Sequence, residues 1–187
     1  MRGWEKRTYK LDGNYKWKAK PGYQIFVADW GAVRFDFPHG WISVPQEGGS
    51  IRFCDREEPD NDAALEVSVM HLAPIDWTGL SMAYLLRELK GGIEGRGTIT
   101  SRSEIAEEKR NDLEIAWNST RWIDPNENRE AQSFSCLARR KTTQIFLTFD
   151  YWVDDEARFG TVWRNVLDSL VLGEQVPGMG RPRGRRP

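Results

Sequence analysis

The sequence has little cysteine. Its 187 residues include only Cys54 and Cys136, and no Cys-x-x-Cys spacing occurs. A single pair of thiols does not make the disulfide framework of a small secreted domain. We therefore expect both to be buried side chains that act as small hydrophobic groups. Whether they meet in a disulfide is left open by the sequence.

Histidine is equally scarce, and it is the side chain whose ordinary pKa lies nearest to neutral pH. His39 follows a proline in a predicted turn, where we expect it to be solvated. His71 shares a predicted strand face with apolar residues, which favours a hydrogen-bonded core position. None of the common hydrolase, zinc-protease, phosphate-loop or dinucleotide motifs is present. The sequence therefore predicts no catalytic, cofactor-binding or metal-binding residue, and it favours a protein that is not an enzyme.

Long apolar runs are missing too. The longest, such as Ile25 to Ala28, have four or five residues, whereas a helix that crosses a membrane needs about 20. Residues 1–7 are polar and charged, and no apolar stretch of signal-peptide length follows them. From these features we expect a soluble cytoplasmic protein.

Charge is distributed unevenly along the chain. Residues 1–22 contain seven Lys or Arg and two Asp or Glu, a net charge of +5, and residues 176–187 contain four Arg and no acid, a net charge of +4. Subtracting both from the total of −1 leaves −10 for residues 23–175. The pattern predicts a basic aromatic arm (1–22), a single acidic domain (23–173) and a basic tail rich in Arg, Pro and Gly (174–187).

The basic ends suggest one alternative function. Basic residues interleaved with aromatic rings can bind single-stranded nucleic acid, and the tail is too poor in apolar residues to fold. Contacts to nucleic acid or to another acidic partner would come from Lys6, Arg7, Lys16, Lys18, Arg181, Arg183, Arg185 and Arg186. An arm that docks by its rings and leaves its lysines in water fits the same composition. The acidic domain also disfavours broad contact with phosphates.

The loop at 55–62 is rich in Asp and Glu and could supply oxygen ligands to Ca²⁺. It lacks the spacing, the glycine and the distal glutamate of an EF-hand, so a solvated loop is the favoured interpretation. Glu104, Glu107 and Glu108 are likewise expected on one exposed strand face. No cofactor is expected.

Alternation of apolar and polar residues predicts most of the strands. They are expected at 24–28, 33–37, 51–54, 65–71, 98–109, 113–124, 130–139 and 143–152. Strands that follow one another through short turns pair in antiparallel fashion, because parallel pairing needs a long crossover.

Two amphipathic helices are predicted. The first covers Trp77 to Leu89 and ends at two glycines. The second covers Asp154 to Leu170 and has one apolar stripe: Phe159, Val162, Trp163, Val166, Leu167 and Leu170. Since a one-sided helix must cover a sheet face, the expected fold class is α+β, an antiparallel sheet of six to eight strands with two packed helices.

Aromatic residues make up 12% of the chain and include nine tryptophans. They could fill one thick core, or they could line an uncovered sheet face that binds a peptide or a helix. The sequence leaves both interpretations open.

Phe35-Asp36-Phe37-Pro38-His39-Gly40-Trp41, together with the closing helix and its Asp168-Ser169-Leu170 end, resembles the PsbP-like superfamily over roughly residues 24–172. That superfamily includes PsbP of photosystem II, a transport factor that binds the GTPase Ran and adaptor chaperones of type VI secretion. The resemblance implies an α/β/α sandwich and a non-enzymatic domain that binds another protein or a peptide. A small-molecule-binding protein or an unrecognised enzyme is the remaining alternative.

Overall fold

The computed structural model describes residues 17–89 and 95–174. Within these residues, eleven strands form two antiparallel sheets, and three short helices pack with them. The predicted α+β fold class is confirmed. One of the sheets has eight strands, the upper limit of the predicted range.

The smaller sheet has the order β1-β2-β11. Its strands are β1 (Tyr23–Ala28), β2 (Val33–Pro38) and β11 (Val171–Leu172). The chain reverses between β1 and β2 through a tight turn in which Asp29 and Trp30 have φ angles of 46° and 59°. β11 was not predicted, because a strand of two residues is too short to show an alternating pattern.

The larger sheet has the order β3-β4-β5-β10-β9-β8-β6, and β7 also pairs with β8. The strands are β3 (Ile42–Pro45), β4 (Ile51–Cys54), β5 (Ala63–His71), β6 (Thr98–Arg102), β7 (Ala106–Arg110), β8 (Leu113–Asp124), β9 (Arg129–Arg140) and β10 (Thr143–Trp152). Most agree with the predicted strands to within two residues.

One strand prediction was wrong in detail, and one strand was not predicted. The single strand expected at 98–109 is two strands, because the register shifts between Ile99 and Ser101 and the chain leaves the ladder around Ser103. The backbone N–H of Ser119 donates to Oγ of Ser103 at 3.0 Å, which holds this break against β8. β3 was missed because it is short and ends in a proline.

Helix α1 (Met82–Glu88) begins five residues later than predicted. The side chain of Asp76 accepts hydrogen bonds from the backbone and the hydroxyl of Thr78, at 2.9 and 2.8 Å, and this closes a turn where the helix was expected. Ser81 then caps the helix by accepting from the N–H of Tyr84 at 3.2 Å. The glycines expected to end the helix lie outside the described residues.

The closing helix is interrupted rather than continuous. A 3-10 turn at Val153–Asp155 leads into α2 (Glu156–Phe159), and α3 (Val162–Ser169) follows after a break at Gly160. All six residues of the predicted apolar stripe are nevertheless buried. The pattern therefore predicted the buried face correctly even though the helix is interrupted.

The domain has three layers. We call the face of the large sheet that packs on the small sheet and α3 the inner face, and the opposite face, which α1 contacts, the outer face. Aromatic rings from all parts of the inner layer form one cluster, in which Trp163 stacks on Phe134 with ring centroids 5.1 Å apart. The rings of the inner layer therefore fill one core, whereas Trp122, Phe146 and Trp152 belong to the outer face.

We expect Trp163→Ala to lower the free energy of unfolding by about 3–5 kcal/mol, because it leaves a large cavity in this cluster. Trp163 is 4% exposed and contacts rings of three strands. Denaturant melts measure the loss.

Arg164→Ala is the matched control, because Arg164 is exposed on the same helix. Asp168, one turn further along the helix, lies 3.9 Å from Arg110 of β7. We expect a loss below about 1 kcal/mol. Equal losses in the two variants would contradict the assignment of the buried stripe.

Candidate binding surface

Helix α1 covers only part of the outer face. Its Met82 and Leu86 pack on Ala116 of β8 and Leu137 of β9, and its strongest contacts are with β7, β8 and β9. Among the described residues, no other helix packs on this face. We call the part beyond α1, on β4, β5 and the end of β10, the open face. Its residues are Arg52, Ala64, Glu66, Thr148, Asp150 and Trp152, and all are partly exposed.

One side of the open face is a charged network. Nη1 of Arg52 lies 2.5 Å from Oε1 of Glu58, and its Nε lies 3.4 Å from Oε2 of Glu66. Oγ of Ser50 donates to the other oxygen of Glu66 at 2.6 Å. Arg52 and Glu66 are direct cross-strand neighbours, so the ladder itself sets their separation. The network orients charged groups that remain about one-third exposed.

The other side is centred on Asp150. Nη1 of Arg96 donates to one carboxylate oxygen at 3.0 Å, and the hydroxyl of Ser133 donates to the other. The indole N–H of Trp122 in turn donates to Oγ of Ser133 at 2.9 Å. Because Ser133 is only 1% exposed, this chain of bonds holds the carboxylate in place and does not present a nucleophile to a substrate.

The acidic loop at 55–62 borders the open face and is closed by its own side chains. Oδ1 of Asp55 accepts from the backbone N–H groups of Asp62 and Ala63, at 2.9 and 3.0 Å. Asp62 pairs with Arg56 and lies 3.0 Å from Arg158. These guanidinium groups occupy the carboxylates that Ca²⁺ would need. Within residues 17–89 and 95–174, no group of three His, Cys, Asp or Glu is arranged to hold a metal ion.

A cleft of about 520 Å³ lies between the acidic loop and the turn at 125–128. Its lining residues come from both segments, from the start of β9 and from the end of β10: Arg56, Glu57, Pro59, Asp60, Asn61, Asp62, Glu127, Arg129 and Trp152. The guanidinium of Arg129 stacks 4.7 Å above the ring of Trp152. Because Trp152 and Asp150 belong to the same strand face, the cleft continues directly from the open face.

The two cysteines are free and buried, as predicted. Cys54 pairs with Ala64 on the outer face, whereas Cys136 lies opposite Leu147 on the inner face, in a strand that is separated from β4 by two others. They therefore do not meet. Burial raises the pKa of both thiols, which disfavours the reactive thiolate.

The prediction for His71 was wrong, whereas His39 is exposed as expected. The His71 side chain is 59% exposed, and its Nε2 lies 2.9 Å from Oδ2 of Asp29. Because His71 is the last residue of β5, its side chain extends past the core toward the turn after β1.

Glu104, Glu107 and Glu108 are exposed, but the expectation of one shared face was also wrong. Glu107 and Glu108 are adjacent in β7 and lie opposite Ala116 and Ile115, whose side chains are on different faces of the sheet. A hydrogen bond from Arg110 lowers the pKa of Glu108.

Of the basic residues considered for nucleic-acid binding, only Lys18 lies among the described residues, and it is exposed. Lys6, Arg7, Lys16, Arg181, Arg183, Arg185 and Arg186 lie outside them, so that function stays a prediction. The end of the arm does dock on the domain. The ring of Trp17 lies 4.1 Å from the guanidinium of Arg34, and Nζ of Lys20 donates to Asn165 at 2.6 Å.

Sequence comparison assigns the chain to a family. The family described as Alr1449 matches residues 24–176. The chain belongs to the Alr1449 family. The uncharacterised protein alr1449 of Nostoc sp. is 40% identical over 171 residues, which cover 91% of this chain and 88% of that protein.

Solved structures confirm the PsbP-like fold of this Alr1449 family member. The solution structure of cyanobacterial PsbP (CyanoP) from Synechocystis sp. is 16% identical, with a TM-score of 0.56, and covers 88% of this chain and 98% of that one. LpqN of Mycobacterium tuberculosis, involved in cell envelope biogenesis, is 10% identical, with a TM-score of 0.53. The match covers 81% of this chain and 91% of that one. At these identities the likeness concerns the fold alone.

No helix in the described part of the chain has the length and apolar character needed to cross a membrane.

We expect the two thiols to resist a disulfide-exchange reagent in the native protein and to react fully after denaturation. Both side chains are buried, and their raised pKa values keep them protonated to a higher pH than in the unfolded chain. Absorbance of the released thiolate counts the reacted groups.

Val44→Cys is the positive control, because Val44 is 44% exposed on an edge strand. It should add one fast-reacting thiol. Fast labelling of the unsubstituted native chain would contradict the burial of Cys54 and Cys136.

Proposed function

We propose that this chain is an adaptor domain that binds a partner protein through the open face and the adjoining cleft. The observation that carries the proposal is the half-covered outer face. Side chains of β4, β5 and β10 that would be core residues under a longer helix are instead polar, partly exposed and held by hydrogen bonds. Pre-ordered polar groups lose little conformational entropy when a partner binds.

The charge of this surface indicates the chemistry of the partner. Glu57, Asp60 and Glu127 are exposed at the cleft, whereas Glu58 and Glu66 of the open face are paired with Arg52. The nearby guanidinium groups of Arg56, Arg129 and Arg158 are already engaged with carboxylates. A partner surface rich in Lys or Arg would therefore be complementary, because opposite charges steer association and fix orientation.

The polar groups of the open face favour binding over catalysis. Ser133 donates to Asp150 but is closed to solvent, and the thiol of Cys54 is both buried and protonated. A nucleophile must reach its substrate together with a base. Membership of a fold whose known examples include protein-binding domains agrees with an adaptor role, although fold alone does not establish function.

Site-specific photo-crosslinking can test the proposal. A photoreactive residue at Thr148, within the open face, should capture one partner that the same residue at Arg164, on the exposed side of α3, does not. Mass spectrometry identifies the partner, which is then purified. The same capture at both positions, or capture of unrelated proteins, would contradict a specific surface.

Binding of the purified partner should depend on the carboxylates at the cleft. We expect Asp60→Lys with Glu127→Lys to weaken the affinity at least about tenfold, and we expect the affinity of the native chain to fall with added salt. Glu104→Lys is the matched control, because Glu104 is exposed in the break between β6 and β7. Equal loss in the control, or no salt dependence, would contradict the proposed surface.

A further inference from the structure

Along the outer edge of β1, several backbone groups have no partner among residues 17–89 and 95–174. The N–H of His39 donates to the carbonyl of Gly22 at 2.8 Å, which sets the phase of the ladder between β1 and β2. Alternate residues of an antiparallel strand point to opposite sides, so the backbone groups of Gln24 and Phe26 point toward β2. Those of Ile25 and Val27 point outward, and no group in the described part of the chain pairs with them.

The other exposed edges are protected, and β1 is not. β3 has four residues and ends in Pro45, and β11 has two residues. β6 contains a bulge and one arginine, and β7 is rich in charged residues. β1 has six residues, Tyr-Gln-Ile-Phe-Val-Ala, with no charge, proline, glycine or register shift. A long uncharged edge is a template for pairing with another strand.

The position of β1 leaves this edge at one side of the domain. The ring of Phe26 packs on Phe53 of β4, whereas Trp163 of α3 packs on rings of β8 and β9. In the inner layer, α3 therefore lies on β8 and β9, and β1 lies on β4 toward the other side of the large sheet. Beyond β1 the described inner layer has no further strand.

We propose that two copies of this chain associate by pairing β1 with β1 in antiparallel fashion about a two-fold axis at Phe26. In this register Ile25 of each copy lies opposite Val27 of the other, and Phe26 lies opposite Phe26. Four hydrogen bonds then satisfy both N–H and both C=O groups on each strand. The register also keeps core-facing residues opposite core-facing residues, which a shift by one residue would not.

The charges that flank β1 support a second copy as the occupant. Lys18 and Lys20 precede the strand and Asp29 follows it, while within the chain Lys20 also donates to Asn165 and Asp29 also contacts His71. An antiparallel pair brings the basic end of one strand to the acidic end of the other, at both ends of the interface. Most homo-oligomers are two-fold dimers with self-complementary interfaces of this kind. The open face lies on the far side of the large sheet and remains free in both copies.

Light scattering coupled to gel filtration tests the association on the full chain. We expect the native chain to elute with the mass of two chains, and Ile25→Lys to elute with the mass of one. The new lysine faces Asp36 across the β1–β2 ladder, so the single chain tolerates it, whereas pairing would replace the apolar contact between Ile25 and Val27 of the second copy by a charged side chain on an otherwise uncharged edge. Val44→Lys, on the edge of β3, is the matched control and should remain dimeric.

Ile25→Pro supplies a second variant, because it removes an outward N–H without breaking a bond to β2. It should also give single chains. Thermal melts confirm that each variant is folded. A native chain with the mass of one chain at every concentration would overturn the proposal, as would dimers that persist in both Ile25 variants.

The register is tested by disulfide formation. Ile25→Cys combined with Val27→Cys should give a covalent dimer on mild oxidation, because position 25 of each copy lies opposite position 27 of the other. Val27→Cys alone should not. Covalent dimers from the single variant, or none from the double variant, would overturn the register.

Discussion

The contact of Trp163 with the rings of the inner face is the interaction on which the rest of the domain depends. Phe134, Phe149 and Trp117 come from three different strands, and each packs on this one indole. Burial of such large apolar surfaces is the main driving force for folding. Because α3 is fixed there, the small sheet lies beside it, and Oγ of Ser169 accepts from the N–H of Asp36 at 2.8 Å.

Since the small sheet and α3 occupy the inner face, the outer face depends on α1 alone. That helix has seven residues, about two turns, and cannot cover eight strands. Polar residues take over where its cover ends, and they are paired with one another across strands. Asn118, Thr120, Ser133 and Ser135 are at most 6% exposed along the boundary. The open face is thus a consequence of where α1 stops.

Sequence patterns predicted the strands and helices that bury one face and expose the other. Strands such as β8 and the stripe of α3 were found because burial recurs at a fixed period. The breaks were not predictable in this way: Gly160 and the bulge after Ile99 depend on local backbone geometry. The polar site was missed for another reason. Asp150 meets partners that are 54 and 17 residues away, and no periodicity marks such a group.

The free edge of β1 and the open face differ in edge protection and in surface charge. The large sheet ends in a short strand with a proline and in charged, irregular strands, which are features that prevent pairing with other chains. Only β1 lacks them among the described edge strands. The open face is instead polar and acidic, which suits reversible contact with a charged surface. The proposed strand pairing at one side and the proposed side-chain recognition at the other would therefore use different chemistry, so a substitution should remove either one without the other.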